Sequence, residues 1–487
     1  MQAVWCRYCG WAAAGVLLSL PFLVPVVWFL VLPGLMVFLY CVQYAETERE
    51  RFLGGYSVGI MHAMSGLAAI WHVYPLVVFG MAPSIGQVFI IAVLWMLFAA
   101  SIGIGTAILA HLWNQAPSRG WYWLLFPFGL VLSEALGSIG FSLFTLGFGN
   151  GLNAYFSFGY VGLALAETDS LLAFARFGGV YALTFVAGTI AVLSYLTMFR
   201  QYPRVVTLGW LVVCAGVVMV QFMGGEYQPQ QQSVLVVETY FDSALLNQPS
   251  GEDTKAHALT ESVEAALAQP ERTILLPEDS RLVNSFLSPE DALAWVVAER
   301  GHAPVQLIDS GRYDLPTGQV ILRAHIFDTA TNQVYLTDKQ YLAPFGEYIP
   351  LTFLVLFASI EQLIEYAIMP GITYEPGPST RYIAAPSHTP AVLFCMESVS
   401  TVGVRRALHT NPAPYVVHPT SHAWFHSHQF LQPNLERMLR VQAVWGRVPI
   451  ISAGNMNPSQ LYLPDGSILT TEPIEQHQYW SLKRFSF

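Results

Sequence analysis

One thiol, one enclosed ammonium and one carboxylate at the end of a buried strand are the residues here that could carry out covalent chemistry together. Cys395 ends the apolar run in AVLFCMES. The other four cysteines (Cys6, Cys9, Cys41 and Cys214) lie in or beside apolar runs of the first half. A short buried strand stopping at a thiol presents the sulfur at a strand edge; taken alone, an isolated cysteine is equally a small core hydrophobe. A thiol nucleophile needs a base, and its oxyanion needs fixed donors. Three lysines follow residue 230. Lys255 sits in a polar helix start and Lys483 in the terminal tail. Lys339 follows a strand among aromatic and apolar neighbours, where a cation makes sense only if charges face it. Glu278 closes the apolar run TILL, so it projects at the same kind of edge. Glu278, Lys339 and Cys395 thus supply a base, a charge stabiliser and a nucleophile.

The elements that position these groups fall into two halves. Of 487 residues, 54% are hydrophobic and only 11% charged, against about 25% charged in soluble domains. Up to Gln230 there are seven Arg, no Lys and seven acids; the remainder has 12 Arg, three Lys and 25 acids, which carries the whole net charge of −10. A transmembrane helical domain (1–227) followed by an acidic domain (228–487) is expected, with nothing basic enough for nucleic acid. The second domain has one thiol and no internal disulfide, as fits a reducing compartment or an exported domain with a free reactive thiol.

About 20 apolar residues cross a bilayer. About seven spans are predicted: two within 11–42, turning near Pro25, then 56–76, 85–112, 121–141, 172–198 and 206–223. With a cytoplasmic N-terminus, Arg7, Arg49, Arg51, Arg119, Arg200 and Arg204 fall inside and only Arg176 outside. That asymmetry places the acidic domain on the extracytoplasmic side. Glu134, within a span, is either a functional group or a carboxylic acid bonded to a neighbouring helix. His62, His72 and His111 read as packing or interfacial residues.

In the second domain, strands are expected at 232–239, 273–276, 305–308, 320–327 and 333–337, with Gly311, Pro316 and Gly318 as turn residues. Helices are expected at 253–268 and 289–300. The segment 351–369 reads as an apolar arm dipping toward the bilayer or a buried helix. Short strands at 391–394, 415–417 and 448–452 each lead into polar residues. The pattern is an α/β layered domain with its site at the strand ends.

The segments LLPEDS around Glu278, KQYLAPFGEYIP from Lys339 and FCMES around Cys395 resemble, in order and spacing, the Glu–Lys–Cys motifs of the nitrilase (carbon–nitrogen hydrolase) superfamily. With the preceding spans, including LLFPFGLVLSEALG and ARFGGVYALTFVAG, the chain resembles the apolipoprotein N-acyltransferase branch. The resemblance implies an α-β-β-α sandwich after the membrane helices, and a bacterial inner-membrane protein with that sandwich on the periplasmic side. It implies a phospholipid acyl donor, an acyl-thioester on Cys395 and a lipoprotein-type amine acceptor. Glu278 would be the base, and Lys339 with the Met396 backbone N–H would hold the oxyanion. Glu347 and Glu397 match supporting carboxylates. No cofactor or metal is implied, although His418, His422, His426 and His428 cluster in sequence; a histidine tuning the thiol is the preferred reading of that cluster.

The chain departs from the family in several places. The SNDAWFG-type loop is TSHAWFH here, with His422 and Trp424 as the loop residues that could join the site. RVQAVWGRVP lacks its glutamate, ETYFDSALLN replaces a polar segment, and the last 17 residues cannot form an eighth span. These changes resemble the nitrilase-like membrane proteins of conjugative plasmid transfer (the TraB type). An amide hydrolase or a non-enzymatic transfer component are therefore the competing expectations.

Overall fold

The computed structural model describes residues 2–76, 83–113, 120–147, 151–223, 232–246, 248–301, 303–316, 318–356, 374–377 and 388–487. The expected domain border at 227/228, Arg119, and the expected apolar segment beyond Leu356 lie outside these residues.

The first half is helical. Among the described residues, five helices are long and apolar enough to cross a bilayer: Pro25–Tyr44, Ile85–Leu112, Tyr122–Phe144, Val180–Met198 and Pro203–Val220; Tyr8–Leu23 is a shorter apolar helix. About seven were expected. The first tract does divide at Pro25, where the 3-10 turn Pro25–Leu30 separates Gln2–Leu23 from Val31–Tyr44. The span expected at 56–76 begins instead at Glu48, because the Thr47 hydroxyl caps helix Glu48–Gly66 by accepting from Glu50 N at 3.1 Å. Its ERER opening lowers its apolarity. The span expected at 172–198 starts only at Val180, after Gly179 takes a φ of 61°.

Glu134 lies in helix Phe126–Phe144, and both its oxygens are engaged. One accepts from Val161 N and the other from Thr184 Oγ1, each at 2.6 Å. The residue therefore bonds its neighbours within the helical half, which is the second of the two readings its sequence allowed.

The described residues of the second half form twelve strands: β1 (Ser233–Thr239), β2 (Thr273–Leu275), β3 (Gln306–Asp314), β4 (Val320–Asp328), β5 (Gln333–Asp338), β6 (Ala391–Val392), β7 (Val416–Ser421), β8 (Ile450–Asn455), β9 (Gln460–Tyr462), β10 (Ile468–Leu469), β11 (Pro473–Gln476) and β12 (Trp480–Ser486). Two layers result. One runs β11-β12-β1-β2-β3-β4-β5 and the other β6-β7-β8-β9-β10, joined where Thr239 pairs with Asn455. Val236, Ile308, Ile326, Phe394, Val417 and Ile451 form the core between them. Helices Gly251–Leu267 and Pro289–Arg300 cover the outer face of the first layer through Val263 and Val296. Helices Gly403–Thr410 and Leu431–Gly446 cover that of the second through Val404 and Leu439. This is the α-β-β-α sandwich.

Several expected boundaries shift. Gly311 is not a turn residue, because β3 continues to Asp314 in unbroken antiparallel register with β4. The terminal residues are no loose tail, since β12 pairs with β1 from Ser233↔Ser486 to Thr239↔Trp480. Strand β6 is only two residues long, and the chain bends at Phe394 into the 3-10 turn Cys395–Val399.

That turn is tied to the helical half. Ser157 N donates to Val399 O at 3.1 Å, and Thr401 N donates to Tyr155 O at 2.8 Å. Helix Leu431–Gly446 docks alongside. Arg437, buried, pairs with Glu167 at 2.5 Å and donates to Pro21 O at 2.8 Å, while Arg440 reaches Ala166 O and Asp169. Arg437→Met leaves the partly buried Glu167 and the Pro21 carbonyl without their donor. Thermal unfolding in detergent should show a stability loss of about 2–3 kcal/mol, with a smaller loss for the exposed partner change Asp169→Asn.

Candidate active site

Glu278 follows β2 in a turn that the sequence makes demanding: Asp279 and Arg281 take φ values of 56° and 64°. Asp279 is held there by Arg281, whose Nε and Nη2 donate to its two oxygens at 2.8 and 2.6 Å, and its carbonyl accepts from Lys255 Nζ at 2.9 Å. Lys255 is therefore buried and props the turn that carries Glu278, where the sequence suggested a solvated helix start. Lys483, expected in a tail, lies in β12 and pairs with Glu238 at 2.9 Å.

Lys339 follows β5 and is 1% exposed. Its Nζ donates to Glu278 Oε1 at 2.9 Å and to Glu347 Oε1 at 2.6 Å. The second oxygen of Glu347 accepts from Ala343 N at 2.7 Å, which closes the loop KQYLAPFGEY around the lysine. Glu397 shapes the same loop from the other side. Its Oε1 accepts from Gln340 N and Tyr341 N, and its Oε2 from Phe394 N at 3.1 Å. Two of these carboxylates thus face the ammonium, while the third pins the backbone on either side of it.

Cys395 opens the 3-10 turn and is partly exposed. Thr420 Oγ1 donates to its sulfur at 3.1 Å. Glu278 and Lys339 both lie close enough for their charges to act on the thiol. His418 Nε2 lies 3.4 Å from the Cys395 carbonyl, and its Nδ1 lies 3.0 Å from Ser452 Oγ. A carbonyl only accepts, so Nε2 carries the proton and Nδ1 accepts from the serine. Met396 faces away from the sandwich and packs on the core of the helical half, as does Phe345.

Electrostatics divide the roles. Burial pushes the Cys395 thiol up to about 12, and the Glu278 carboxylate adds to that. Burial, then Glu347, pushes Glu278 up to about 7 against the pull of Lys339. Burial disfavours charge on Lys339, but Glu278 and Glu347 overcome it and hold its pKa well above the ordinary lysine range. The resting site is a neutral thiol, a fixed ammonium and a carboxylate that exchanges its proton near neutrality.

Of the loop residues, Trp424 lies against Gly346, where a Cβ would come within 2.7 Å of the indole; the glycine of PFGEY is needed for this contact. His422 is buried near Phe425 and His428, away from the bonds just described. His426 Nε2 bonds Pro75 O at 2.8 Å. Among the described residues, no group of three or more His, Cys, Asp or Glu is disposed to hold a metal. The sequence reading missed Thr420 as a partner of the cysteine, while His418 belongs to the histidine cluster from which a residue beside the thiol was expected. The period-two alternation of a strand running on to Ser421 would have put both on one face, but that strand was expected to stop at Val417.

Residues 14–193 match the family model of the apolipoprotein N-acyltransferase N-terminal domain. An apolipoprotein N-acyltransferase from Ralstonia nicotianae is 25% identical, over 95% of this chain and 84% of that protein. Among solved structures, an amidase from Nesterenkonia sp. matches at 14% identity and a TM-score of 0.36, over 53% of this chain and 92% of the amidase. A carbon–nitrogen hydrolase from Helicobacter pylori G27 matches at 13% identity and a TM-score of 0.34, over 52% and 89%.

Lys339→Met would leave two carboxylates and the thiol without the ammonium that faces them. Glu278 should then hold its proton to higher pH and the thiolate should be disfavoured, since one opposite charge shifts a pKa by about one unit or more. Alkylation of Cys395 by iodoacetamide at pH 8, read by mass spectrometry, should slow by about tenfold or more.

Proposed function

From a chain similar to apolipoprotein N-acyltransferases along nearly all its length, we propose a membrane N-acyltransferase of the carbon–nitrogen hydrolase superfamily that works through an acyl-thioester on Cys395. The observation that carries this reading is the buried ammonium of Lys339, bonded to Glu278 and Glu347 beside a thiol on a turn anchored to the helical half.

Glu278 takes the thiol proton as the sulfur attacks the ester carbonyl of a phospholipid. The tetrahedral oxyanion is met by the Lys339 ammonium and by the Met396 N–H at the open end of the 3-10 turn. The intermediate collapses, the C–O bond breaks, and Glu278 returns the proton to the leaving hydroxyl of the lysophospholipid. An amine then attacks the thioester, Glu278 receives its proton, the C–S bond breaks and the thiol is restored. Thr420 Oγ1, already donating to the sulfur, stabilises the departing thiolate. Glu347 and Glu397 position Lys339 and its loop. Met396 and Phe345, packed on the helical core, place the acyl chain on the membrane side, where each buried CH₂ contributes about 0.8 kcal/mol. A lipoprotein-type amine is the acceptor proposed. Arginine placement supports an inner-membrane protein with its sandwich in the periplasm.

Intact mass spectrometry of protein incubated with phospholipid should show the addition of one acyl chain, absent in Cys395→Ala. An unmodified wild type that turns over small amides would replace this reading with a hydrolase, and inertness toward both would favour a transfer-apparatus role. The rate of acyl loading should rise with pH through about 7 as Glu278 loses its proton. Because the Glu347 charge helps to raise Glu278, Glu347→Gln should move that rise to lower pH.

A further inference from the structure

Strand β7 carries His418 and Thr420 at alternate positions on one face, and His422 follows two residues on. Thr420 touches the Cys395 sulfur on that face and His418 the Cys395 carbonyl. His422, just past the strand end, lies roughly 7 Å further along at two residues' rise. It is 2% exposed, yet its Nδ1 has no hydrogen-bond partner among the described residues. The same is true of Nδ1 of His428, whose ring centroid lies 5.5 Å from that of His422. A buried unpaired nitrogen costs about 1–3 kcal/mol, so two side by side call for a ligand.

The loop that carries them is fixed and not loosely draped. His426 N donates to His72 O at 2.8 Å, His426 Nε2 bonds Pro75 O at 2.8 Å, and Phe430 stacks on His72 with centroids 5.2 Å apart. The two imidazoles therefore sit on an anchored loop, His422 beside His418, which bonds the Cys395 carbonyl, and His428 beside His72 of the helical half. Their titratable neighbours are imidazoles as well, His418 beside His422 and His72 beside His428.

We propose that His422 and His428 receive the acceptor's nitrogen: their Nδ1 lone pairs accept N–H bonds from a primary ammonium or amine and hold it against the thioester carbonyl on Cys395. Burial keeps both rings below the ordinary histidine range, so they stay neutral and do not repel the incoming cation. The ammonium gives one proton to water on the more open His428 side. Its nitrogen then bonds the acyl carbon, the C–S bond breaks, and the second proton passes through Glu278 to the sulfur. The inference rests on the acyl-thioester reading above.

The two half-reactions separate the possibilities. Full-length protein is loaded with dioleoyl phosphatidylethanolamine in detergent. It is then challenged with a synthetic diacylglyceryl-cysteinyl peptide bearing a free α-amine, or with hydroxylamine, and discharge of the acyl mass is followed. His422→Phe and His428→Phe should load as wild type does, discharge to the peptide about tenfold or more slowly, and discharge to hydroxylamine unchanged. His422→Asn, which keeps an acceptor atom, should recover part of the loss. Unchanged discharge to the peptide, or equal slowing of loading and of both discharges, would overturn the assignment. A wild type that never loads would instead remove the acyl-thioester reading on which the assignment depends.

Discussion

A lysine ammonium sealed from water between two carboxylates is the constraint that the rest of this site obeys. Bringing three ionisable groups into a low-dielectric interior costs several kcal/mol per charge unless each is paired and its remaining valences are met. Lys339 has Glu278 and Glu347; Glu347 has a backbone N–H as well. Glu278 is the member left under-compensated, pressed by burial and by the second carboxylate. That shortfall is what gives it a proton affinity near neutrality. The loop Lys339–Tyr348 and the left-handed turn after Glu278 follow from the need to hold these groups in register. A flexible loop would let one charge escape to water and dissolve the arrangement.

The second constraint is the joint between the two halves, and one short piece of chain forms it. The 3-10 turn Cys395–Val399 begins with the thiol and ends on a hydrogen bond from Ser157 of the helical half. Helix Leu431–Gly446 reinforces the joint, with Arg437 and Arg440 reaching carbonyls and carboxylates on the helical side.

The fold was legible wherever burial periodicity was undisturbed. Helix Pro289–Arg300 lies where its pattern placed it, and the structure caps it with Ser288, which accepts from Asp291 N. The three residues of the site were legible because each is chemically out of place: a lysine among aromatics, a lone thiol, an acid after TILL. What could not be read was pairing across distance. Gly311 looks like a turn residue until β4 is known to run alongside it. Lys255 looks solvated until the turn at Asp279 is seen to need a donor. The last seven residues look like a tail until β1 offers them an edge. The span count is approximate for a related reason: helix Glu48–Gly66 carries its charged ERER start inside any window long enough to cross a bilayer.

The resting proton distribution bears on how the chemistry must proceed. A thiol held up to about 12 beside a base near 7 is not stored as a thiolate. Its proton leaves only as carbon–sulfur bonding begins, when negative charge moves from sulfur to the carbonyl oxygen. Burial, which opposes a localised thiolate, opposes that displaced charge less, because Lys339 already faces it and needs no reorganisation. In the proposed reaction the same burial, which disfavours a free thiolate, thus ties ionisation to the presence of the acyl donor.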